Sequence, residues 1–199
     1  MTKFALFLCL TALPVAAIDI VASGGLNATG QGSVNATSGT VTAGGRAVGL
    51  LNFGGNFLNL GAVALGMELP IMVGGAGWTQ ITSGSVTAES VNLAVIPGLR
   101  VRFLPVAPVT PWVSAGVGGG RLARSSAGTR TVGTLASSNT QSVFAWDAAA
   151  GLDFKPVTFL LFRAEVRNFH FQSPESLVNG ISKQGRNNLA FLAGIGVRF

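Results

Sequence analysis

The sequence predicts an all-β chain: an eight-stranded antiparallel transmembrane β-barrel, wound as an up-and-down meander, behind a short removable leader. Three observations predict it. From Leu189 to Phe199 every second residue is apolar (Leu189, Phe191, Ala193, Ile195, Val197, Phe199), with Ala190, Leu192, Gly194, Gly196 and Arg198 between them, a period of two. At about 3.3 Å per residue this strand reaches across a membrane at a tilt, for which about 9–11 residues are needed. Charged residues make up only 10% of the chain and the mean hydropathy is +0.53, where an ordinary soluble domain has about 25% charge. Yet no run after residue 17 approaches the ~18 consecutive apolar residues of a membrane helix. Strands that alternate hide their hydrophobicity from a window scan, so the two facts agree for a barrel. Third, the strands number eight, and their connections alternate long and short, as in single-chain barrels of this kind.

The leader comes first. Lys3 is a positive n-region, Phe4 to Leu13 an apolar h-region too short to span, and Val15-Ala16-Ala17 a cleavage site of small residues. Residues 1–17 are therefore read as a signal peptide and 18–199 as one barrel domain. Cys9 follows Leu8 rather than a small residue, which argues against lipoprotein processing, and it leaves with the leader. The mature chain then has no disulfide and no thiolate zinc site.

The first strand alternates Ile18, Ile20, Ala22, Gly24 and Leu26 with Asp19, Val21, Ser23, Gly25 and Asn27, and a polar loop follows over 29–39. A second strand runs about Thr40 to Leu51, and NFGGN (52–56) reads as a tight turn. The third runs about Phe57 to Leu69; Leu58 and Leu60 are out of phase with Val63. Residues 73–86 read as loop. The fourth, Val91 to Phe103, is weakened by Pro97, which has no N–H for the ladder. After a turn at 104–108 comes a Gly-rich fifth strand, about Val109 to Leu122, and then the longest polar stretch, 123–139. The sixth strand turns Phe144, Trp146, Ala148, Ala150, Leu152 and Phe154 outward, Lys155-Pro156 turns, and the seventh turns Leu160, Phe162, Ala164 and Val166 outward. Residues 172–187 are loop before the last strand.

Asp19, Arg46, Glu68, Arg100, Arg102, Asp147, Asp153, Arg163, Glu165, Arg167 and Arg198 all fall on the face opposite the apolar one. A cation on the lipid face near the midplane would cost about 2–4 kcal/mol. Inside an eight-stranded barrel, just wide enough for side chains to fill, charges of both signs can pair. Five carboxylates meet six arginines, and this near-neutrality predicts a lumen plugged by a charge network of Arg100, Arg102, Asp147, Asp153, Arg163, Glu165, Arg167 and Arg198. A water-filled pore would carry a surplus of one sign.

With its signal peptide, its strand and loop rhythm and its GVRF ending, the stretch Ile18 to Phe199 resembles the small eight-stranded bacterial outer-membrane barrels of the OmpA/OmpX type. The resemblance implies a monomer integral to the outer membrane, with long loops outside the cell and both termini in the periplasm. It implies contact with outer-membrane lipid and lipopolysaccharide, periplasmic chaperones and the outer-membrane assembly machinery, the last through a terminal signal of Phe199, Val197 and Ile195. The peptidoglycan-binding module of OmpA itself is not expected here. The chain lacks Tyr, so any aromatic girdle must use Trp78, Trp112, Trp146 and Phe.

No catalytic, cofactor or metal site is expected. The lone histidine, His170, precedes Ser173 and Glu175, but the spacing HFQSPES departs from the His-x-Ser pattern associated with outer-membrane lipid A deacylases. GVGGG (116–120) has no following helix and no Lys-Ser/Thr pair, so it serves close strand packing rather than phosphate binding. The net charge of +6 is scattered, without a basic stripe of interleaved aromatics, and nucleic acid is not a partner. Arg121, Arg124, Arg130, Lys183 and Arg186 fall in loops, either as contacts for outer-leaflet lipid phosphate or as ordinary solvated loop charge. The expected role is structural or surface-interactive. The alternatives are a narrow passive channel, a lipid-modifying acyl hydrolase using His170, and a soluble lipocalin-like barrel with its apolar residues inside.

Overall fold

A computed structural model describes residues 17–28, 34–36, 39–43, 46–82, 85–128, 137–172 and 186–199, with side chains at 18–27, 47–74, 93–121, 142–171 and 187–199. The strands are β1 (Ala17–Ala28), β2 (Val34–Ala36), β3 (Gly39–Ala43), β4 (Arg46–Asn59), β5 (Val63–Thr82), β6 (Ser85–Val95), β7 (Gly98–Phe103), β8 (Val109–Gly128), β9 (Ser137–Val157), β10 (Leu160–Gln172) and β11 (Arg186–Arg198). They make eight staves, because β3 and β4 both lie along β5, β6 and β7 both lie between β5 and β8, and the three-residue β2 pairs only with β3, outside the closed circuit. All pairings are antiparallel. The sheet closes where β1 meets β11, with Asp19 opposite Arg198 and Ile20 opposite Val197. Ile18 and Phe199 exchange backbone hydrogen bonds of 3.2 and 2.9 Å at the end of that seam. A closed barrel has no open edge, so every described stave finds a partner on both sides.

Period-two alternation holds along the staves. On β10, Leu161, Arg163, Glu165, Arg167, Phe169 and Phe171 are buried while Phe162 and Val166 are exposed. The outer surface carries a belt of aliphatic and aromatic side chains, among them Leu51, Val95, Leu99, Val113, Val117, Phe144, Leu152, Phe154, Phe162, Phe191 and Ile195. The soluble alternative, with apolar residues inside and polar ones outside, does not fit this placement.

The strand boundaries differ from the sequence reading at four places. NFGGN is no turn: Asn52 to Asn56 lies inside β4, paired with 66–70 of β5, and the turn is Leu60 to Ala62. A register shift between Asn56 and Leu58 explains why Leu58 and Leu60 are out of phase with Val63. The stretch 73–86 is no loop either. β5 runs to Thr82 and β6 starts at Ser85, with Thr82 opposite Ser85. Likewise β8 and β9 extend into the polar stretch, with Arg124 opposite Asn139. Lys155 and Pro156 are still in β9, and the turn is Thr158-Phe159. Pro97 does divide the fourth stave: β6 ends at Val95, β7 begins at Gly98, and Ile96 N donates to Pro70 O across the break at 3.2 Å. The leader up to residue 16 and the segment containing Ser173, Glu175 and Lys183 lie outside the described residues, as does Arg130.

Candidate functional site: the packed lumen

The inward positions sort by height into two layers. At the end of the barrel that holds the three short turns, the lumen is charged. Asp19 on β1, Glu68 on β5, Arg100 and Arg102 on β7, Asp147 and Asp153 on β9, and Arg163, Glu165 and Arg167 on β10 are all buried, and Arg198 on β11 nearly so. These ten side chains form one connected network. Asp19 is its first hub: it pairs with Arg100 at 3.2 Å, with Arg198 at 3.2 Å and, in close contact, with Arg102. Arg102 leads on to Asp153 at 3.7 Å, which holds Arg163 through two bonds, Nε to Oδ1 at 2.7 Å and Nη2 to Oδ2 at 2.9 Å. Arg167 is the second hub. It contacts Asp147 closely, Glu68 at 3.1 Å and Glu165 at 3.3 Å, and Glu68 joins back to Arg100 at 3.7 Å. Five carboxylates thus meet five arginines, and the formal net charge of +6 is carried by residues outside the network.

Neutral side chains complete this layer. Asn52 Nδ2 donates to Glu68 Oε2 at 3.2 Å, and Arg102 Nη1 donates to Asn56 Oδ1 at 2.9 Å. Trp112, 1% exposed, lies between Arg163 and Arg100, whose guanidinium carbons sit 4.7 and 5.7 Å from its ring centroid. Its indole N–H donates to Asp153 Oδ1 at 2.9 Å. The ring fits because position 151 is glycine: a Cβ there would come within 2.5 Å of Trp112 Cζ2. Cation–π contact in a desolvated site is worth about 2 kcal/mol.

Above the charges the lumen is mostly apolar, with one buried amide pair, Asn27 Nδ2 donating to Asn188 Oδ1 at 3.5 Å, at the same height. Val48, Leu50, Met72, Ala94, Ile96, Val143, Ala145, Phe169, Phe171, Ala190 and Leu192 form one buried cluster. The Phe169 and Phe171 rings stack at 6.3 Å, and Arg167 reaches up to within 6.0 Å of the Phe169 ring, joining the layers.

The structure brings together Arg100, Arg102, Asp147, Asp153, Arg163, Glu165, Arg167 and Arg198 inside the barrel. Arg46 opens β4 opposite Asn27, but its side chain is outside the described set. Trp112 is the clear correction: it is no girdle residue but an interior one, because its inward phase on β8 and its N–H partner Asp153 both draw it into the charge layer. Trp146 does face outward, stacked on His170 at 5.0 Å with 19° between planes. His170 Nδ1 lies 2.7 Å from Asn187 Oδ1. The histidine therefore belongs to an outward-facing row with Trp146 and Asn187, not to the lumen. Ile195, Val197 and Phe199 point outward on the closing stave. Gly116 serves close packing as expected, since a Cβ there would sit 2.8 Å from the Pro97 carbonyl oxygen.

No family model matches the chain and no curated protein sequence matches it. Solved structures do. A major outer membrane protein from Thermus thermophilus is 13% identical, with 92% of this chain and 99% of that one covered and a TM-score of 0.54. The outer membrane protein OprG from Pseudomonas aeruginosa is 12% identical, with 91% and 95% covered and a TM-score of 0.52. At such identities the likeness speaks to architecture, and together with the closed stave order and the outward apolar belt it fixes it: the chain has the fold of the small eight-stranded outer-membrane β-barrels.

Proposed function

We propose that this chain is a monomeric, integral outer-membrane protein with a structural or surface-contact role, and that its barrel does not conduct. The observation that carries the reading is the doubly closed lumen, a neutral ten-membered charge network beneath an apolar cluster. Buried ion pairs of this density hold only when each charge keeps its partners, since an unpaired buried charge costs several kcal/mol. A conducting pore needs instead a wetted path and uses a charge surplus for selectivity. In this reading both termini face the periplasm, the long connections face outward, and the partners are outer-membrane lipid, lipopolysaccharide, periplasmic chaperones and the assembly machinery that reads Phe199, Val197 and Ile195. Residues 1–17 are the signal peptide. Cells carrying Phe199→Ala then hold sharply less of the protein in the outer membrane at unchanged synthesis.

Bilayer recording of the wild-type protein tests the central claim. The expected result is no steady open level, and a well-defined open conductance sinks it. The same reading makes the chain no enzyme, so His170→Ala leaves lipid A acylation in expressing cells unchanged. Lipid A altered by the wild type and not by the variant, read by mass spectrometry, would favour the acyl hydrolase.

A further inference from the structure

The turn end of the barrel carries an unusual surface. Water-facing turns are built from Gly, Asn, Asp, Ser and Pro. Here the three turns read Leu60-Gly61-Ala62, Leu104-Pro105-Val106-Ala107-Pro108 and Thr158-Phe159, without a charged residue. Their large side chains stand out from the protein: Val106 is 88% exposed, Leu60 and Phe159 each 63%, and Phe199 beside them 76%. Leu58, Leu104 and Val157 add to the same surface. Contiguous exposed apolar area of this kind marks a contact with a partner or a membrane.

We propose that this turn end is seated in the lipid leaflet itself, with the acyl–glycerol boundary as its partner. The proposal rests on the reading of the outer belt as lipid-facing, and three observations select lipid as the occupant. The turn surface is continuous with that belt. On β8 the outward positions run Val109 to Gly119 before the exposed Arg121, and on β11 they run Phe199 back to Leu189 before Asn187. At ~3.3 Å per residue and a tilt of ~40°, each run spans about 25 Å, the height of an outer-membrane apolar band. The band is therefore filled only if it begins at the turns.

Part of the turn backbone, the N–H groups of Leu60, Gly61, Leu104 and Ala107, is also bonded internally, which lowers the cost of lipid contact. Leu104 N donates to Ala62 O at 2.7 Å and so ties one turn to the next. Leu60 N donates to Val63 O at 2.8 Å, Gly61 N to Asn59 Oδ1 at 3.0 Å, Ala107 N to Leu104 O at 2.9 Å, and Arg198 N to Phe159 O at 2.9 Å. Leu104 accepts a left-handed φ of 51°, a position that favours glycine, to make this bracing. Finally, the one lysine side chain at this end, among the described residues, does not reach outward. Lys155 Nζ donates to Pro105 O at 2.6 Å, and its backbone N to Pro108 O at 2.8 Å.

The test labels single cysteines with an environment-sensitive fluorophore, in the full chain with Cys9→Ser, folded into phosphatidylcholine vesicles. Val106→Cys and Phe159→Cys probe the turns, and both positions are exposed enough to change without touching the core. Val113→Cys probes the middle of the belt. Expected are blue-shifted emission at all three sites, and at Val106 and Phe159 quenching several-fold stronger by nitroxides near the top of the acyl chain than by aqueous iodide. Val113 in lipid with Val106 and Phe159 quenched by iodide overturns the proposal and leaves the membrane reading standing; this includes the case in which native membranes then shield them, which would assign the surface to a protein partner. Val113 quenched by iodide overturns both.

Discussion

On β10 the inward positions run Arg163, Glu165, Arg167 and then Phe169 and Phe171, so within five alternate residues the lumen passes from charge to hydrocarbon. The two layers close the same tube by different physics. The lower one depends on identity: each charge is matched to named partners, and Arg167 alone answers three carboxylates. The upper one depends on volume: Met72, Ile96, Phe169, Phe171 and Leu192 need only fill the space between the staves. An eight-stranded tube is just wide enough for side chains to fill and can be filled either way, and this barrel uses both. Errors in the two layers therefore have different costs.

The sharpest way to break the comparison is at the charged hub. Arg167→Ala would leave Asp147 and Glu165 without their arginine in a buried site, beside a Glu68 that keeps only Arg100 and Asn52, and we expect it to cost about 5 kcal/mol, the upper end for removing one partner of a buried pair. Urea unfolding in lipid vesicles measures this. In the layer above, Phe169→Ala removes hydrocarbon and leaves a cavity, at about 3 kcal/mol, the lower end for such truncations, and ion flux stays absent because the charged layer still closes the lumen. Equal costs for the two variants, or a conductance that appears with Phe169→Ala, would show that the layers are not distinct in the way the geometry indicates.

The lower layer was legible in the sequence because charges are rare here: eleven of them on one phase of alternating strands are hard to read otherwise. The neutral members were not. Asn52 and Asn56 bracket two glycines, and that composition is what a turn looks like; only pairing with β5 reveals them as interior donors and acceptors. Trp112 has the composition of a girdle residue and the phase of a lumen residue, and phase was the better guide. The apolar layer escaped notice because Phe169, Phe171 and Leu192 continue the inward phase of Arg167 and Gly194, and an inward apolar residue carries no contrast with the outward ones. Strand ends were lost beyond the belt. Gly77 to Glu89 shows no alternation in sequence although its backbone pairs from Gly77↔Ser90 to Thr82↔Ser85. The strand-forming content of Thr79, Ile81, Val86 and Thr87 is the signal that was there to be used.

The smallest effect should come from removing a matched pair whole. Arg163 and Asp153 face each other across β10 and β9 through two charge-assisted bonds. Asp153→Leu alone leaves the Arg163 guanidinium buried beneath Trp112 without its carboxylate, and Arg163→Met alone leaves the carboxylate without its main partner; each should cost about 3–5 kcal/mol. The double variant Arg163→Met with Asp153→Leu removes both charges and keeps the volume. What remains is the Trp112 indole N–H, which loses its acceptor, at about 1–3 kcal/mol for an unmet buried donor. Arg102, which also touches Asp153, retains Asp19 and Asn56. The double variant is therefore expected to be more stable than either single one, with a cost of about 1–3 kcal/mol carried by Trp112. A double variant as unstable as the sum of the two singles would mean that the pair is not a unit, and that the charged layer is held by the long-range field of the network rather than by matched partners.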